Sequence, residues 1–210
     1  MRINKATRDN ILAALAATYG GATTALEYGS PFELLVAVVL SAQCTDTRVN
    51  IITSRLFPAY DTPAKMLGLG EEGLAELIRD CGLYRAKARN LIAACAMLLE
   101  DYGGEVPGNF DDLTRLPGVG RKTANVLLSQ LFAVPAIAVD THVFRVARRL
   151  GLATGKTPEQ VEEGLMKVVP RHDWSDAHHW LIWHGRKICK ARRPDCEGCP
   201  LKELCPSAFK

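Results

Sequence analysis

Four cysteines late in the chain, Cys189, Cys196, Cys199 and Cys205, follow the spacing Cys-x6-Cys-x2-Cys-x5-Cys. Thiolates are soft ligands, and four of them so close together can wrap one compact metal centre. Disulfides are the poorer reading, because nothing else in the sequence indicates an oxidising compartment. Zinc sites built from four cysteines usually present two short Cys-x2-Cys knuckles, and this segment has one. Spacing alone leaves zinc and an iron–sulfur cluster both open. The chain has seven cysteines, and the remaining three, Cys44, Cys81 and Cys95, are scattered and read as small core residues.

A second chemical element is Leu116-Pro117-Gly118-Val119-Gly120-Arg121-Lys122. It follows a short helix and opens another over Thr123–Leu131. The proline and two glycines make a tight hairpin whose N–H groups can point outward at a helix N terminus, which forms a concave site for a phosphate oxygen. Such a contact reads the nucleic-acid backbone and not its bases. A Gly-x-Gly by itself is as often a plain turn. Two helices flanking a Leu-Pro-Gly-x-Gly turn are a helix–hairpin–helix element, a more specific pattern. Lys122 follows directly. Most lysines in a first helical turn are solvated, but here the amine stands directly after a turn suited to hold a phosphate. An amine beside a bound phosphodiester can attack a sugar carbon and form a Schiff base.

Asp140, in Val139-Asp140-Thr141-His142-Val143, stands where a helix begins. The common fate of such an aspartate is an N-cap. That role is compatible with a second, stabilising a developing oxocarbenium ion or taking a proton. The histidines His142, His172, His178, His179 and His184 show no metal-ligand spacing, and His178 and His179 read as structural.

The elements that must carry these residues are helices separated by short turns. Ser30-Pro31-Phe32-Glu33 and Thr157-Pro158-Glu159-Gln160 are capping boxes with proline at the first helical position. Thr62-Pro63 opens a short helix, and Glu71–Arg79 follows it. Arg85–Glu100 is apolar over most of its length and stops at Gly103-Gly104. Asp173–Ile188 is helical, with Trp174, Trp180 and Trp183 available for a core. Val134–Val139 could be a strand by composition, but it lacks a partner and is expected to be a connector. From Gly185 the chain turns basic and rich in cysteine and proline, which predicts a loop without regular structure.

Bulk properties exclude more than they identify. A chain of 210 residues, 48% hydrophobic, has little room for a long disordered tail. It should bury on the order of 70% of its unfolded surface. The net charge of +3 does not by itself mark a nucleic-acid binder. Two basic runs, Arg186 to Arg193 and Arg145 to Arg149, read first as solvated faces. Arg2, Lys5 and Arg8 before Ile11–Ala17 imitate an export signal, yet Asp9 and the spacing of Ile11, Leu12 and Leu15 suit an amphipathic helix of the mature chain. The longest uncharged apolar runs, Leu91–Leu99 and Leu131–Val139, fall far short of the ~20 residues a bilayer span needs. A soluble, cytosolic protein without a membrane partner is expected.

Taken together, the hairpin, Lys122, Asp140 and the cysteine tail resemble the bacterial endonuclease III family in order and approximate spacing. Ser41-Ala42-Gln43-Cys44-Thr45-Asp46 resembles that family's Ser-Ala-Gln-x-Thr-Asp segment. The resemblance covers nearly the whole chain. It implies an all-α, two-lobed helix–hairpin–helix DNA glycosylase fold with a DNA cleft between the lobes. A six-helix barrel would span residues 24–132. Residues 1–23 with 133–210 would form a cluster lobe, with Cys189, Cys196, Cys199 and Cys205 holding a [4Fe-4S] cluster in the loop 189–205. The partner would be damaged double-stranded DNA, bound by a cytoplasmic, nucleoid-associated monomer.

The same resemblance implies a bifunctional glycosylase and lyase that excises oxidised pyrimidines and cuts the strand by β-elimination. Lys122 would be the nucleophile on a flipped-out nucleotide, assisted by Asp140. Gln43 and Leu83 would fill the gap left by the flipped base. Gly118, Val119, Gly120, Arg121, His142, Lys190, Arg192 and Arg193 would contact DNA. An aliphatic residue is expected where Cys81 stands. Related enzymes that release mismatched adenine carry a glutamate where this chain has Val38 and a serine where it has Lys122. Mismatch thymine glycosylases typically carry tyrosine at the Lys122 position. Cutting at pyrimidine dimers would share every motif above. A non-catalytic helix–hairpin–helix clamp would not need both Lys122 and Asp140.

Overall fold

In the computed structural model, which describes residues 3–208, all regular structure is helical. The described residues form two compact units. One is Ala25–Ala133; the other joins the residues up to Thr24 to those from Val134 onward. Arg2 and the outermost residues of the expected lobes, 1–2 and 209–210, lie outside the described residues.

The first unit is built on α2 (Pro31–Ser41), in which Phe32 and Leu34 through Leu40 are all buried. A helix apolar on every side can only be stable when surrounded. Here α3 (Asp46–Leu56), α6 (Tyr84–Asp101) and α8 (Arg121–Phe132) pack around it. Leu34 is fully buried, and shortening it to alanine would cost about 2–5 kcal/mol. Ser30 starts α2 as expected, its Oγ accepting from the Glu33 amide at 3.2 Å. The Glu33 carboxylate accepts from the amide of Gly29, one residue earlier than the standard box.

The helix α3 has no counterpart in the reading of the sequence. Its start is nonetheless written there, because the Thr45 side chain caps the Arg48 amide. Between α3 and α6 lie α4 (Pro63–Leu67), started by Thr62, and α5 (Gly70–Leu77). Gly70 at φ +66° breaks the stretch in two, a backbone that glycine adopts without strain. With α7 (Phe110–Arg115) the described residues of this unit hold seven helical segments, α2 to α8.

The second unit contains α1 (Lys5–Tyr19), α9 (Thr141–Arg149), α10 (Pro158–Val168) and α11 (Trp174–Lys187), with a 3-10 turn over Arg171–Asp173. Both α1 and α9 pack on α11. Ile11, Leu12 and Leu15 are buried in this core beside Val143, Val146, Leu165 and Leu181, so the apolar run of α1 is a packing face. Gln160 closes the second capping box on the Lys156 amide at 2.8 Å. The connector Val134–Val139 has no regular structure. It is buried from Ala136 on, and His178 Nδ1 meets the Ala138 carbonyl at 2.7 Å. Buried backbone that is not in a ladder must find such partners. No helix among the described residues is long and apolar enough to cross a membrane.

Candidate functional site

In the Ala25–Ala133 unit, α7 leads into the hairpin. The turn closes through Val119 N–H donating to the Leu116 carbonyl at 3.0 Å. Gly118 is at φ +85°, and a Cβ there would lie 3.1 Å from Asn90 Cβ, so both backbone and space require glycine. Gly120 stands at the N-cap of α8 with no side chain capping the helix, and a Cβ on it would meet nothing within 4 Å. The N terminus of α8 is therefore open to an approaching group. The Val119 side chain is core and its amide is spent on closing the turn. Arg121 and Lys122 form the exposed first turn of α8, and the Arg121 guanidinium lies 5.3 Å over the Phe110 ring.

Gln43 and Leu83 stand at the ends of two neighbouring loops in the same unit. Both have left-handed backbones, φ +55° and +60°, unusual for residues with side chains. Leu83 is 60% exposed and so is not the core residue its type suggests. A Cβ on Gly82 would lie 3.3 Å from the Gln43 carbonyl, so the loops touch backbone to backbone. Cys81 and Cys95 are buried as expected, and burial pushes the Cys95 thiol up to about 12. Cys44 is half-buried.

In the other unit, Asp140 is the N-cap of α9, its Oδ1 accepting from the Val143 amide at 2.7 Å. His142 Nδ1 lies 3.2 Å from Arg145 Nη2. The arginines of α9 pin the cysteine loop. Arg145 Nε donates to the Cys189 carbonyl at 3.1 Å, and Arg149 donates to the carbonyls of Lys190 at 2.7 Å and Ala191 at 3.1 Å. Arg149 Nη1 also reaches Cys189 Sγ at 3.4 Å. The first reading of this run as a solvated face fails for Arg145 and Arg149; Arg148, exposed over the Phe144 ring, fits it. One short helix thus carries Asp140 at its start and anchors the loop from its end. Sequence reading missed this, because an arginine's partner forty residues away leaves no local signal.

Cys189, Cys196, Cys199 and Cys205 line a single cavity of about 260 Å³ together with Arg149, His184 and Ile188. Leu201, fully buried, fastens the loop to the core. Burial pushes the Cys199 and Cys205 thiols up, and the neighbouring thiols add to it. A positive centre would relieve that crowding. Among the described residues no group of three or more His, Cys, Asp or Glu side chains is arranged to hold a single metal ion. Zinc needs its sulfurs at about 2.3 Å from one point. Four thiols spread around a larger cavity suit a polynuclear cluster, whose own atoms fill the space. His184 is buried on the cavity wall with Nε2 3.8 Å from Cys199 Sγ, and burial holds its imidazole down to about 4. Lys190, Arg192 and Arg193 are exposed on the loop, Arg193 at φ +52°.

Comparison with known proteins agrees with this geometry. Residues 36–171 match the family described as HhH-GPD superfamily base excision DNA repair protein. Residues 189–205 match the iron-sulfur binding domain of endonuclease III, which decides for iron–sulfur over zinc. Endonuclease III of Rickettsia conorii (strain ATCC VR-613 / Malish 7) is 57% identical over 186 residues, 89% of each chain. That of Escherichia coli (strain K12) is 54% identical over 203 residues, 97% of this chain and 96% of the relative. Among solved structures, a trapped endonuclease III–DNA covalent intermediate aligns with a TM-score of 0.94 at 50% identity, covering 98% of this chain and 97% of that one. A thermostable thymine-DNA glycosylase aligns at 0.85 with 25% identity, covering 97% of each chain. The chain belongs to the endonuclease III family of the HhH-GPD superfamily, bifunctional DNA glycosylases and lyases of base excision repair that carry a [4Fe-4S] cluster.

Proposed function

We propose that the protein excises oxidised pyrimidines from damaged duplex DNA and cuts the strand 3′ to the lesion, acting as a monomer in the cytoplasm on nucleoid DNA. The observation that carries the reading is Lys122, exposed in the first turn of a helix whose N terminus no side chain caps. The uncapped amides flanking Val119 hold a phosphate beside the lesion, placing Lys122 against its sugar. Lys122 Nζ attacks C1′, the bond from C1′ to the base breaks, and the base leaves with a proton. The nitrogen lone pair then opens the sugar ring by breaking the C1′–O4′ bond, O4′ takes up a proton, and the amine remains on C1′ as a protonated Schiff base. Loss of a proton from C2′ then expels the 3′ phosphate, which completes β-elimination.

Asp140 supplies negative charge to the cationic sugar as the bond breaks, and its second oxygen is the one not spent on the Val143 amide. Gln43 and Leu83 enter the duplex and occupy the space of the flipped base, which suits an exposed leucine on a rigid left-handed turn. Lys190, Arg192 and Arg193 bind phosphate. When bound, the cluster cross-links the four thiolates and so orders that basic loop.

Borohydride added during turnover on a thymine glycol duplex tests the reading. Wild type is expected to be trapped covalently on DNA, whereas Lys122→Gln binds DNA and is not trapped. Efficient trapping by Lys122→Gln would move the nucleophile elsewhere. Release of adenine opposite 8-oxoguanine with thymine glycol left untouched would overturn the substrate assignment.

A further inference from the structure

Lys87 on α6 is only 5% exposed, although lysine is almost never buried without compensation. Its Nζ donates to the carbonyls of Leu40 at 2.8 Å and Ala42 at 2.6 Å, and to Cys81 Sγ at 3.0 Å. All three ammonium protons are thereby used. No carboxylate is among these partners. The balancing charge comes from the C-terminal end of α2, where carbonyls lack intrahelical donors and the helix dipole is negative. Cys81 Sγ also donates to the Leu40 carbonyl at 3.2 Å, so one knot joins α2, the Cys81 loop and α6.

The positions flanking this knot give it meaning. Ala42 immediately precedes Gln43, and Cys81 is two residues before Leu83, whose own carbonyl accepts from the Lys87 amide at 3.0 Å. Gln43 and Leu83 are the two left-handed residues of these loops. A left-handed residue with a side chain is strained and persists only where its surroundings over-determine it. Cys81, where an aliphatic residue was expected, supplies an acceptor that an aliphatic side chain lacks.

We propose that Lys87 is a positioning residue for base extrusion: its buried ammonium clamps the Gln43 and Leu83 loops in register so that both side chains enter the duplex together. The inference rests on the reading of Gln43 and Leu83 as gap-filling residues. Lys87 touches no reacting atom. Its loss should therefore matter where a paired, stacked base must be displaced, and little where that cost has already been met.

The test measures single-turnover excision of thymine glycol in a fully paired duplex and in an unpaired bubble, for Lys87→Met, Leu83→Ala, Gln43→Ala and the Lys87→Met/Leu83→Ala double variant. Lys87→Met should slow the paired substrate by about tenfold or more and the bubble by less than about threefold, relative to wild type. The double variant should be little worse than Leu83→Ala, because both changes disable one device. Amide exchange at residues 43–44 and 82–84 should quicken in Lys87→Met. Lys87→Arg keeps the charge but cannot place three donors on the same acceptors; it is measured alongside, so a Lys87→Met that did not fold would leave the test standing. Equal losses on both substrates, or full additivity with Leu83→Ala, overturn the proposal. If Leu83→Ala and Gln43→Ala themselves fail to distinguish the substrates, the gap-filling reading falls and takes this inference with it. If they do distinguish them and the Lys87 variants do not, the inference alone falls.

Discussion

The phenol of Tyr19 and Nδ1 of His184 are 3.1 Å apart, both groups buried, and the far side of the same imidazole faces Cys199 Sγ at 3.8 Å. A thiolate only accepts, so Nε2 carries the proton and Nδ1 accepts from the phenol. Burial holds His184 neutral at ordinary pH, with its pKa down to about 4. Hydrogen bonds to ligand sulfurs raise a cluster's reduction potential. His184→Phe should therefore lower the potential while iron and acid-labile sulfide remain bound, and Tyr19→Phe should shift it less in the same direction. Voltammetry with iron and sulfide analysis checks both; an unchanged potential in His184→Phe would refute the contact's role.

Asp140 both caps α9 and, in the proposed mechanism, stabilises charge on the sugar. Asn caps about as well as Asp. Asp140→Asn should accordingly change thermal stability little, within about 1 kcal/mol, yet slow base release by about a hundredfold or more. Asp140→Ala should lose both. Parallel losses of stability and rate in Asp140→Asn would reduce the residue to a cap.

Arg192 and Arg193 are exposed on a loop whose backbone is held by Arg149. If they neutralise phosphates, replacing both with alanine should reduce the slope of log affinity against log salt by roughly 2. Binding titrations at several salt concentrations decide the matter, and an unaltered slope returns these arginines to solvent. Arg149→Ala should flatten the slope indirectly by releasing the loop.

Burial holds His179 below its usual 6.5, with Asp176 opposing and Arg186 assisting. The folded chain therefore resists a proton that the unfolded chain accepts near pH 6.5. The stability this group contributes is present above that pH and is lost as pH falls below it. Wild type should lose melting temperature faster than His179→Gln between about pH 7 and pH 5. Parallel melting curves across that range would show that the group does not titrate in this way.

What local sequence determines here is what local physics determines. Ser30, Thr62 and Thr157 announce helix starts because a cap bonds three residues ahead. Gly118 marks the hairpin because the turn demands its φ, and the four cysteines declare a metal centre because chelation requires them near one another. Asp140 reads correctly as a cap for the same reason. Thr45 carried an equally local signal for α3, lost in the Ser41–Asp46 motif that surrounds it. Tertiary structure alone decided the remainder. Leu83 has the type of a core residue, and only the packing of its neighbours turns it outward. Lys87 looks like any solvated lysine of an amphipathic helix until α2 ends against it and presents two carbonyls. Arg149 and His184 find their partners across long sequence separations, at Lys190 and Tyr19. Such pairings depend on where two helices come to rest, and a one-dimensional pattern records periodicity and spacing but not that meeting point.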